Sequence, residues 1–360
     1  MSILEKIKKN STIKDSSILA KSKFFTEKDI VSTSIPMVNV ALSGRLDGGL
    51  APGLTMWAGP SKHFKTAFSL LMAKSYLDKY KDAVLLFYDS EFGTPIKYFE
   101  TFGIDMERVL HTPLTNIEEL KFDVMAQLEQ IERGDKLIIV IDSIGNLASK
   151  KEVEDALDGK SVADMSRAKQ VKSLFRMITP HLSLKDIPMI VVNHTYKEIG
   201  MFPKDIVGGG TGSYYSADNI YILGRQQEKD GKEISGYNFI INVEKSRYVR
   251  EKSKIPIAVS WEGGIQKYSG ILDIAIEGGF VHKPTPGWYA MVDNKTGEVG
   301  EKKRFVDTQT KEFMQPLLDD PKFQEYVKKK YEIAYSNIMG ENPILSEPVV
   351  VEDNEEYSDE

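Results

Sequence analysis

Not one of the 360 residues is a cysteine. That excludes a disulfide framework, a thiolate zinc site and a cysteine nucleophile, and it suits a reducing, intracellular setting. No apolar run approaches the roughly 18 residues of a membrane span. The first 19 residues alternate lysine with apolar side chains and have no continuous apolar core, so they do not read as a secretory signal. No internal repeat is present. Hydrophobic residues make up 41% and charged residues 28%, ordinary values for a soluble globular protein with a sizeable core. They exclude a mostly disordered chain, a collagen-like fibre and a coiled coil. The length suggests one large domain plus a smaller one, or two domains.

The last 20 residues hold no lysine or arginine. The formal net charge is −6, which at face value argues against a nucleic-acid partner. Glu341, Glu347, Glu352, Asp353, Glu355, Glu356, Asp359 and Glu360 put −8 on residues 341–360. Removing that −8 from the total of −6 leaves the first 340 residues at +2. The tail has two prolines and no helical period, so it reads as disordered. It is either a solubility device or an electrostatic competitor for a basic groove on the body.

Residues 1–31 are lysine-rich, with one short amphipathic helix suggested by Ile3, Leu4 and Ile7. From Gly53 strand and helix signals alternate. Strands are expected at Leu54–Ala58, Val84–Tyr88, Leu137–Ile141, Pro188–Asn193, Asn219–Leu223 and Phe239–Val243. Helices are expected at Thr66–Asp78, Ile117–Glu132 and Ser166–Pro180. Leu137–Ile141 is wholly apolar, the mark of a strand covered on both faces. The alternation implies a doubly wound, mostly parallel α/β sheet. After Gly270 a helix at Ile271–Ile276, a turn at Asp293–Gly297 and a charged helix at Phe323–Ala334 suggest a small separate α/β domain.

Gly59-Pro60-Ser61-Lys62-His63-Phe64-Lys65-Thr66 follows a strand and opens a helix, nearly the P-loop pattern GxxxxGK[ST]. That chemistry needs backbone N–H groups curled round a phosphate, a lysine on its β/γ oxygens and a hydroxyl on Mg2+. Lys65 and Thr66 suit the last two roles. Phe64 departs from the pattern, because a bulky residue disfavours the positive φ that glycine takes there. A chance strand–turn–helix is the alternative. Two further strands end in carboxylates. Asp142 closes Leu137–Ile141 and could hold the water shell of Mg2+. Glu91 closes Phe87-Tyr88-Asp89-Ser90-Glu91 and could orient or deprotonate an attacking water. Each has a plainer alternative, a turn acid or a helix cap. Three suitable strand ends in one sheet arise by chance far less often than any one alone.

A wider set of segments carries a resemblance: Gly48-Gly49-Leu50, Pro52-Gly53, Gly59-Pro60-Ser61, Lys65-Thr66, Tyr88-Asp89-Ser90-Glu91-Phe92-Gly93, Ile141-Asp142-Ser143, Val192-Asn193-His194, Gly208-Gly209-Gly210 and Tyr214-Tyr215-Ser216. With these the chain resembles the RecA family of DNA strand-exchange ATPases, most nearly its T4-like phage members, which share the phenylalanine in the P-loop. The resemblance covers about residues 20–335. It implies a RecA-like P-loop ATPase core at residues 32–270. Before the core it implies a short N-terminal oligomerisation segment (1–31), and after it a small C-terminal domain (271–340) that admits duplex DNA and the acidic tail (341–360).

By the same resemblance, Gly59 to Thr66 cradle the phosphates of ATP, Lys65 binds them and Thr66 ligates Mg2+. Glu91 is the catalytic base and Asp142 holds the metal's waters. Tyr98 falls where the family stacks an aromatic on adenine, although a core tyrosine is nearly as good a reading. His194 replaces the glutamine that senses the γ-phosphate; a hydrogen-bonded strand-end histidine is the alternative. Lys245 and Arg247 match a basic pair that reaches the neighbouring subunit's ATP, or they are a solvated basic edge.

Two segments look like the family's DNA-binding loops. The first, about Ser149 to Arg167, carries Lys160 and Arg167, yet also Glu152, Glu154, Asp155 and Asp158. The second, about Thr195 to Ser213, carries Lys197, Ile199, Met201, Phe202, Gly209, Gly210 and Thr211. Apolar residues between lysine and a glycine run suit side chains that wedge between base steps while N–H groups hold phosphates. The implied protein is an ATP-dependent homologous recombinase. It forms a helical homo-oligomeric filament on single-stranded DNA and pairs it with homologous duplex DNA. A recombination mediator and a single-stranded-DNA-binding protein are the expected partners, the host cytoplasm the expected location, and no membrane is involved. A hexameric helicase of the same fold and a non-enzymatic recombinase loader are the rivals.

Overall fold

A computed structural model describes residues 2–13, 15–22, 28–159, 166–198, 200, 203–230 and 233–333. The expected residues Lys160, Ile199, Met201 and Phe202, and the tail 341–360, lie outside the described residues.

The N-terminal helix α1 (Ile3–Asn10) starts at a capping box of Ser2 and Glu5, and its Ile3, Leu4 and Ile7 are exposed. Helix α2 (Pro36–Ser43) opens with proline at its first position and is buried almost all round. Then come β1 (Gly53–Ala58), α3 (Lys65–Lys79), β2 (Val84–Asp89), α4 (Ile96–Phe102), β3 (Val109–Pro113), α5 (Ile117–Gln130) and β4 (Leu137–Asp142). They are followed by α6 (Lys150–Leu157), α7 (Ser166–Lys185), β5 (Pro188–Asn193), the short hairpin β6 (Thr195–Lys197) and β7 (Asp205–Val207), and α8 (Gly210–Ser216). Long strands β8 (Asn219–Asp230) and β9 (Glu233–Lys245) lead to β10 (Lys254–Ser260) and β11 (Gly264–Ile265).

Nine strands form one sheet in the order β11-β10-β9-β8-β1-β5-β4-β2-β3. From β8 to β3 every pairing is parallel, and β8-β9-β10-β11 is an antiparallel extension. β1, β4 and β5 are buried along their whole length, as expected for strands with helices on both faces. Alternation sorts their side chains. Trp57, Phe87, Val140 and Ile190 join the core under α2 and α3, whereas Met56, Leu86, Ile139 and Val191 join the core under α5 and α7.

The C-terminal part comprises α9 (Ile271–Glu277), β12 (Val281–Thr285), β13 (Trp288–Met291), β14 (Lys303–Arg304), α10 (Phe305–Thr308), α11 (Lys311–Leu318) and α12 (Pro321–Tyr331). Its three strands form a small antiparallel sheet. Its apolar residues Ile271, Phe280, Phe323 and Tyr331 belong to the same buried cluster as Trp57 and Phe68.

Four departures from the expected elements have physical reasons. β8 and β9 run to twelve and thirteen residues, well past the apolar segments, because they go on pairing with each other beyond the end of β1, where polar side chains suffice. β3 is an edge strand whose Leu110 and His111 are exposed, so it carries little apolar signal. α7 continues through Pro180 to Lys185 because Ile178 and Leu182 stay on the buried face. The first half of the first candidate DNA loop is helical. Ser149 and Glu152 form a capping box for α6, and Lys151 pairs with Asp155 one turn on.

Candidate functional site

The parallel register brings four strand ends together. Ala58 pairs with Asn193, Met189 with Ile139, and Asp89 with Asp142. The carboxyl ends of β1, β5, β4 and β2 therefore lie side by side in that order. In open α/β sheets this edge is where ligands bind.

At β1 the chain turns through Gly59–Phe64 into α3. Lys62 and Phe64 both take φ of 60°, and Phe64 is the residue before the helix. A left-handed phenylalanine costs on the order of 1–3 kcal/mol. The ring compensates by packing on buried Phe239, with centroids 4.7 Å apart. The backbone thus takes the glycine-like turn, held by side-chain burial where the usual pattern relies on a bare backbone. Lys65 is buried, and its Nζ donates to the Pro60 carbonyl at 2.8 Å, across the loop. Burial lowers its pKa, opposed by the nearby carboxylates of Glu91 and Asp142.

Thr66 Oγ1 donates to Asp142 Oδ2 at 2.7 Å. Asp142 is 2% exposed. Burial pushes its carboxyl up to about 6; Glu91 and Asp89 add to the rise, and the Thr66 hydroxyl and Lys65 oppose it. Its Oδ1 is buried with no hydrogen-bond partner. A hard cation fits these groups: a hydroxyl, a carboxylate and one orphaned carboxylate oxygen whose charged form is penalised by burial. Among the described residues no group of three or more His, Asp or Glu could hold a metal alone. A Mg2+ bound by one carboxylate, waters and phosphate oxygens needs no such group.

Glu91 lies just past β2. Its Oε1 accepts from Ser143 Oγ at 2.7 Å and stands 2.8 Å from His194 Nε2. The His194 bond, then the Ser143 hydroxyl, hold its carboxyl down at about 2 against the opposing effect of burial. Several contacts unforeseen from sequence fix this turn. Asp89 Oδ1 accepts from the N–H groups of Glu91 and Phe92, and its Oδ2 faces His111 Nε2 at 3.2 Å. Ser90 Oγ donates to the Ser143 carbonyl at 2.6 Å. Ser90 and Ser143 sit beside the carboxylates in the quoted motifs, and that adjacency was the available signal. Tyr98 on α4 is half-buried, edge-on to Phe102 at 5.6 Å, and burial raises its pKa.

His194 is also tied to the second candidate loop. Its N–H donates to Asn193 Oδ1, Asn193 Nδ2 donates to the Gly208 carbonyl at 2.8 Å, and the Gly208 N–H donates to the His194 carbonyl at 2.9 Å. Gly145 leaves room for the ring, since a Cβ there would fall 2.6 Å from His194 Cδ2. Lys197 pairs with Asp205 across the β6–β7 hairpin at 2.8 Å. Gly209 and Gly210 take φ of 88° and 73° at the start of α8, which contains Thr211. A Cβ on Gly212 would meet Lys172 Cβ at 2.6 Å, so α8 packs directly on α7.

Arg167, Lys245 and Arg247 are engaged within the chain. Arg167 donates to the carbonyls of Leu147, Ile144 and Gly145 at 2.8–3.0 Å. Lys245 Nζ donates to the Tyr214 carbonyl at 2.9 Å and the Tyr215 carbonyl at 3.2 Å, at the end of α8. Burial and then Arg247 lower its pKa. Arg247 pairs with Asp218, whose other oxygen accepts from the Leu54 N–H at 2.8 Å. The pair therefore reaches one segment, Tyr214–Asp218, which joins the second loop to the sheet.

A mostly parallel sheet with a P-loop-like turn after its central strand, with Asp142 at the end of β4 and Glu91 just past β2 on one side of that turn, defines a RecA-like α/β core. Comparison with known proteins agrees. Residues 2–266 match the RecA N-terminal domain, and residues 268–327 match the C-terminal domain of the bacteriophage T4 recombination and repair protein. The recombination and repair protein of Enterobacteria phage T4 is 53% identical over 331 residues, covering 91% of this chain and 85% of that protein. Protein RecA of Bacteroides thetaiotaomicron is 26% identical over 300 residues (82% and 87%), and that of Streptomyces venezuelae 25% over 306 residues (84% and 75%). The chain belongs to the RecA family and is a phage RecA-like recombinase. Membership implies a DNA-dependent ATPase that uses nucleotide and Mg2+. Among the described residues no helix is long and apolar enough to cross a membrane.

Proposed function

We propose that this protein hydrolyses ATP at the carboxyl edge of its sheet and couples that reaction to filament assembly on single-stranded DNA and to pairing with homologous duplex. The observation that carries the reading is the convergence of Lys65, the Thr66–Asp142 pair and Glu91 on neighbouring strand ends. The turn Gly59–Phe64 offers its N–H groups to the phosphates, and Lys65 exchanges its Pro60 contact for a phosphate oxygen. Thr66 and Asp142 would hold Mg2+, which supplies charge neutralisation on the β and γ oxygens when bound. Glu91 orients the attacking water and takes its proton. Tyr98 stacks on the base.

Glu91 at about 2 is a weak base, since transfer is most efficient when the base is matched to the working pH. Releasing His194 from it raises its basicity. His194 shares hydrogen bonds with Asn193 and Gly208, so DNA that draws on the second loop draws on the same chain of contacts. That is the proposed route of DNA stimulation.

Lys197, Gly209, Gly210, Thr211 and the apolar Ile199, Met201 and Phe202 form the main DNA-binding loop, with Lys160 in the other. Arg167 becomes a positioning residue, because three carbonyls already hold its guanidinium. Lys245 and Arg247 act on the neighbouring subunit's nucleotide, and residues 1–31 serve oligomerisation through the exposed face of α1. Residues 32–270 are the ATPase core, 271–340 receive duplex DNA, and 341–360 restrain access to DNA. A mediator and a single-stranded-DNA-binding protein assist in the host cytoplasm.

The test is ATP turnover with and without single-stranded DNA, followed by negative-stain imaging. Stimulated turnover with helical filaments is expected. Lys65→Ala should lower turnover by about a thousandfold or more, as for loss of a main electrostatic contact to the transferred group. Closed rings, or turnover indifferent to DNA, would sink the reading.

A further inference from the structure

The P-loop-like turn is braced from one side. β1 and β8 are paired only as far as Ala58 and Ile222. Beyond that point the β8–β9 hairpin keeps contact with the turn at alternate positions. Gly59 lies so close to β8 that a Cβ would fall 3.2 Å from the Leu223 carbonyl oxygen. Arg225 donates from Nη1 to the Lys62 carbonyl at 3.3 Å. The Phe64 ring rests on Phe239. The braces then support one another: Tyr237 lies 5.9 Å from Phe239, and the Arg225 guanidinium sits 4.6 Å over the Tyr237 ring.

The two residues that a hairpin side chain braces, Lys62 and Phe64, are the two that take φ of 60° in this turn. Neither is a glycine, so the turn's shape is not the backbone's own preference. We propose that Arg225, Tyr237 and Phe239 are positioning residues that hold the phosphate-binding turn in its left-handed conformation, with Phe64 as the part of the turn they grip. This rests on the reading of Gly59–Thr66 as a phosphate site.

Arg225 is exposed and Tyr237 only half-buried, so Arg225→Ala and Tyr237→Ala should fold. Each removes a cation–π contact, and the first also a hydrogen bond, so a threefold to tenfold weaker binding of a fluorescent ATP analogue is expected, roughly the worth of those contacts. For Arg225→Ala, whose side chain is exposed, the melting temperature without nucleotide should hold within about 2 °C, as for surface changes. Tripolyphosphate, which has no base, should lose affinity by the same factor. Tyr237→Phe should bind as the parent does. Phe64→Gly should bind better than Phe64→Ala, because glycine takes the positive φ freely.

Unchanged affinity in both hairpin variants would overturn the proposal. So would a loss confined to the ATP analogue, which would mean that the hairpin touches the base. Lys65→Ala in the same titrations tests the site itself. If Lys65→Ala binds both ligands as the parent does, the phosphate-site reading fails whatever the hairpin variants show.

Discussion

Two neighbouring strand ends carry carboxylates whose pKa values are pushed in opposite directions. Asp142 closes β4 in register with Asp89 at the end of β2, and Glu91 follows two residues later. Burial lifts the Asp142 carboxyl to about 6, whereas hydrogen bonds from His194 and Ser143 hold the Glu91 carboxyl at about 2. Depth and donors decide the difference. Asp142 receives one hydroxyl and keeps an orphaned oxygen, while Glu91 stands nearer solvent with two partners on one oxygen. The first arrangement suits a cation as its missing partner. The second suits a group held in reserve until its partners let go.

The largest expected effect comes from removing the second carboxylate altogether. Glu91→Gln keeps the shape and the contact with Ser143 but cannot take a proton. Turnover should fall about 100- to 10,000-fold, the usual worth of a positioned base, with nucleotide binding retained. A variant that turns over at near-parent rate would remove Glu91 as base. Next comes Asp142→Asn. A raised carboxyl pKa means that the folded state favours the protonated form, so stability is full below about 4 and declines as pH rises through 6. The amide of the variant does not ionise. The variant's gain in nucleotide-free stability should be near zero at pH 4 and reach the order of 2 kcal/mol at pH 8, while Mg2+-dependent turnover falls. Chemical denaturation at the two pH values measures this. A pH-independent difference would break the electrostatic half of the comparison.

How much of this was legible in the residues differs between the strands and the contacts among them. β4 and β5 announce themselves because apolar runs ending in aspartate or asparagine have few other uses in an α/β chain, and β1 because its run, broken only by Thr55, leads into Gly59. The pairing of Asp142 with Thr66 follows from two motifs. The His194–Glu91 bond does not, since it joins residues 103 apart and depends on Gly145 leaving room for the ring. Nor does the engagement of Arg167: a basic residue in a candidate DNA loop looks available until the fold shows three carbonyls against it. The distal half of the β8–β9 hairpin was missed for a related reason. Its polar residues pair with each other outside the core, so they carry no apolar signal.

His194→Ala should have a smaller effect than either carboxylate change, and of a different kind. The carboxyl of Glu91 loses its largest depressing contact and returns toward the ordinary range. DNA-independent turnover should rise a few-fold, and stimulation by single-stranded DNA should shrink about tenfold, one hydrogen bond's worth to a charged group. Stimulation equal to the parent's would cut the proposed link between the second loop and the base.

Ser143→Ala is the mildest test and the sharpest one for separating Glu91's two partners. It removes the other depressing contact but leaves the Asn193–His194–Gly208 connection intact. Basal turnover should change about threefold or less, and the factor by which DNA stimulates it should stay the same. Folding is informative too. A lowered carboxyl pKa adds stability above the unfolded value near 4.5 that is lost as pH falls toward 2, so Ser143→Ala should be less stable than the parent at pH 7 and converge with it in acid. If stimulation by DNA instead collapsed with Ser143, the serine rather than the histidine would be the partner that carries the signal.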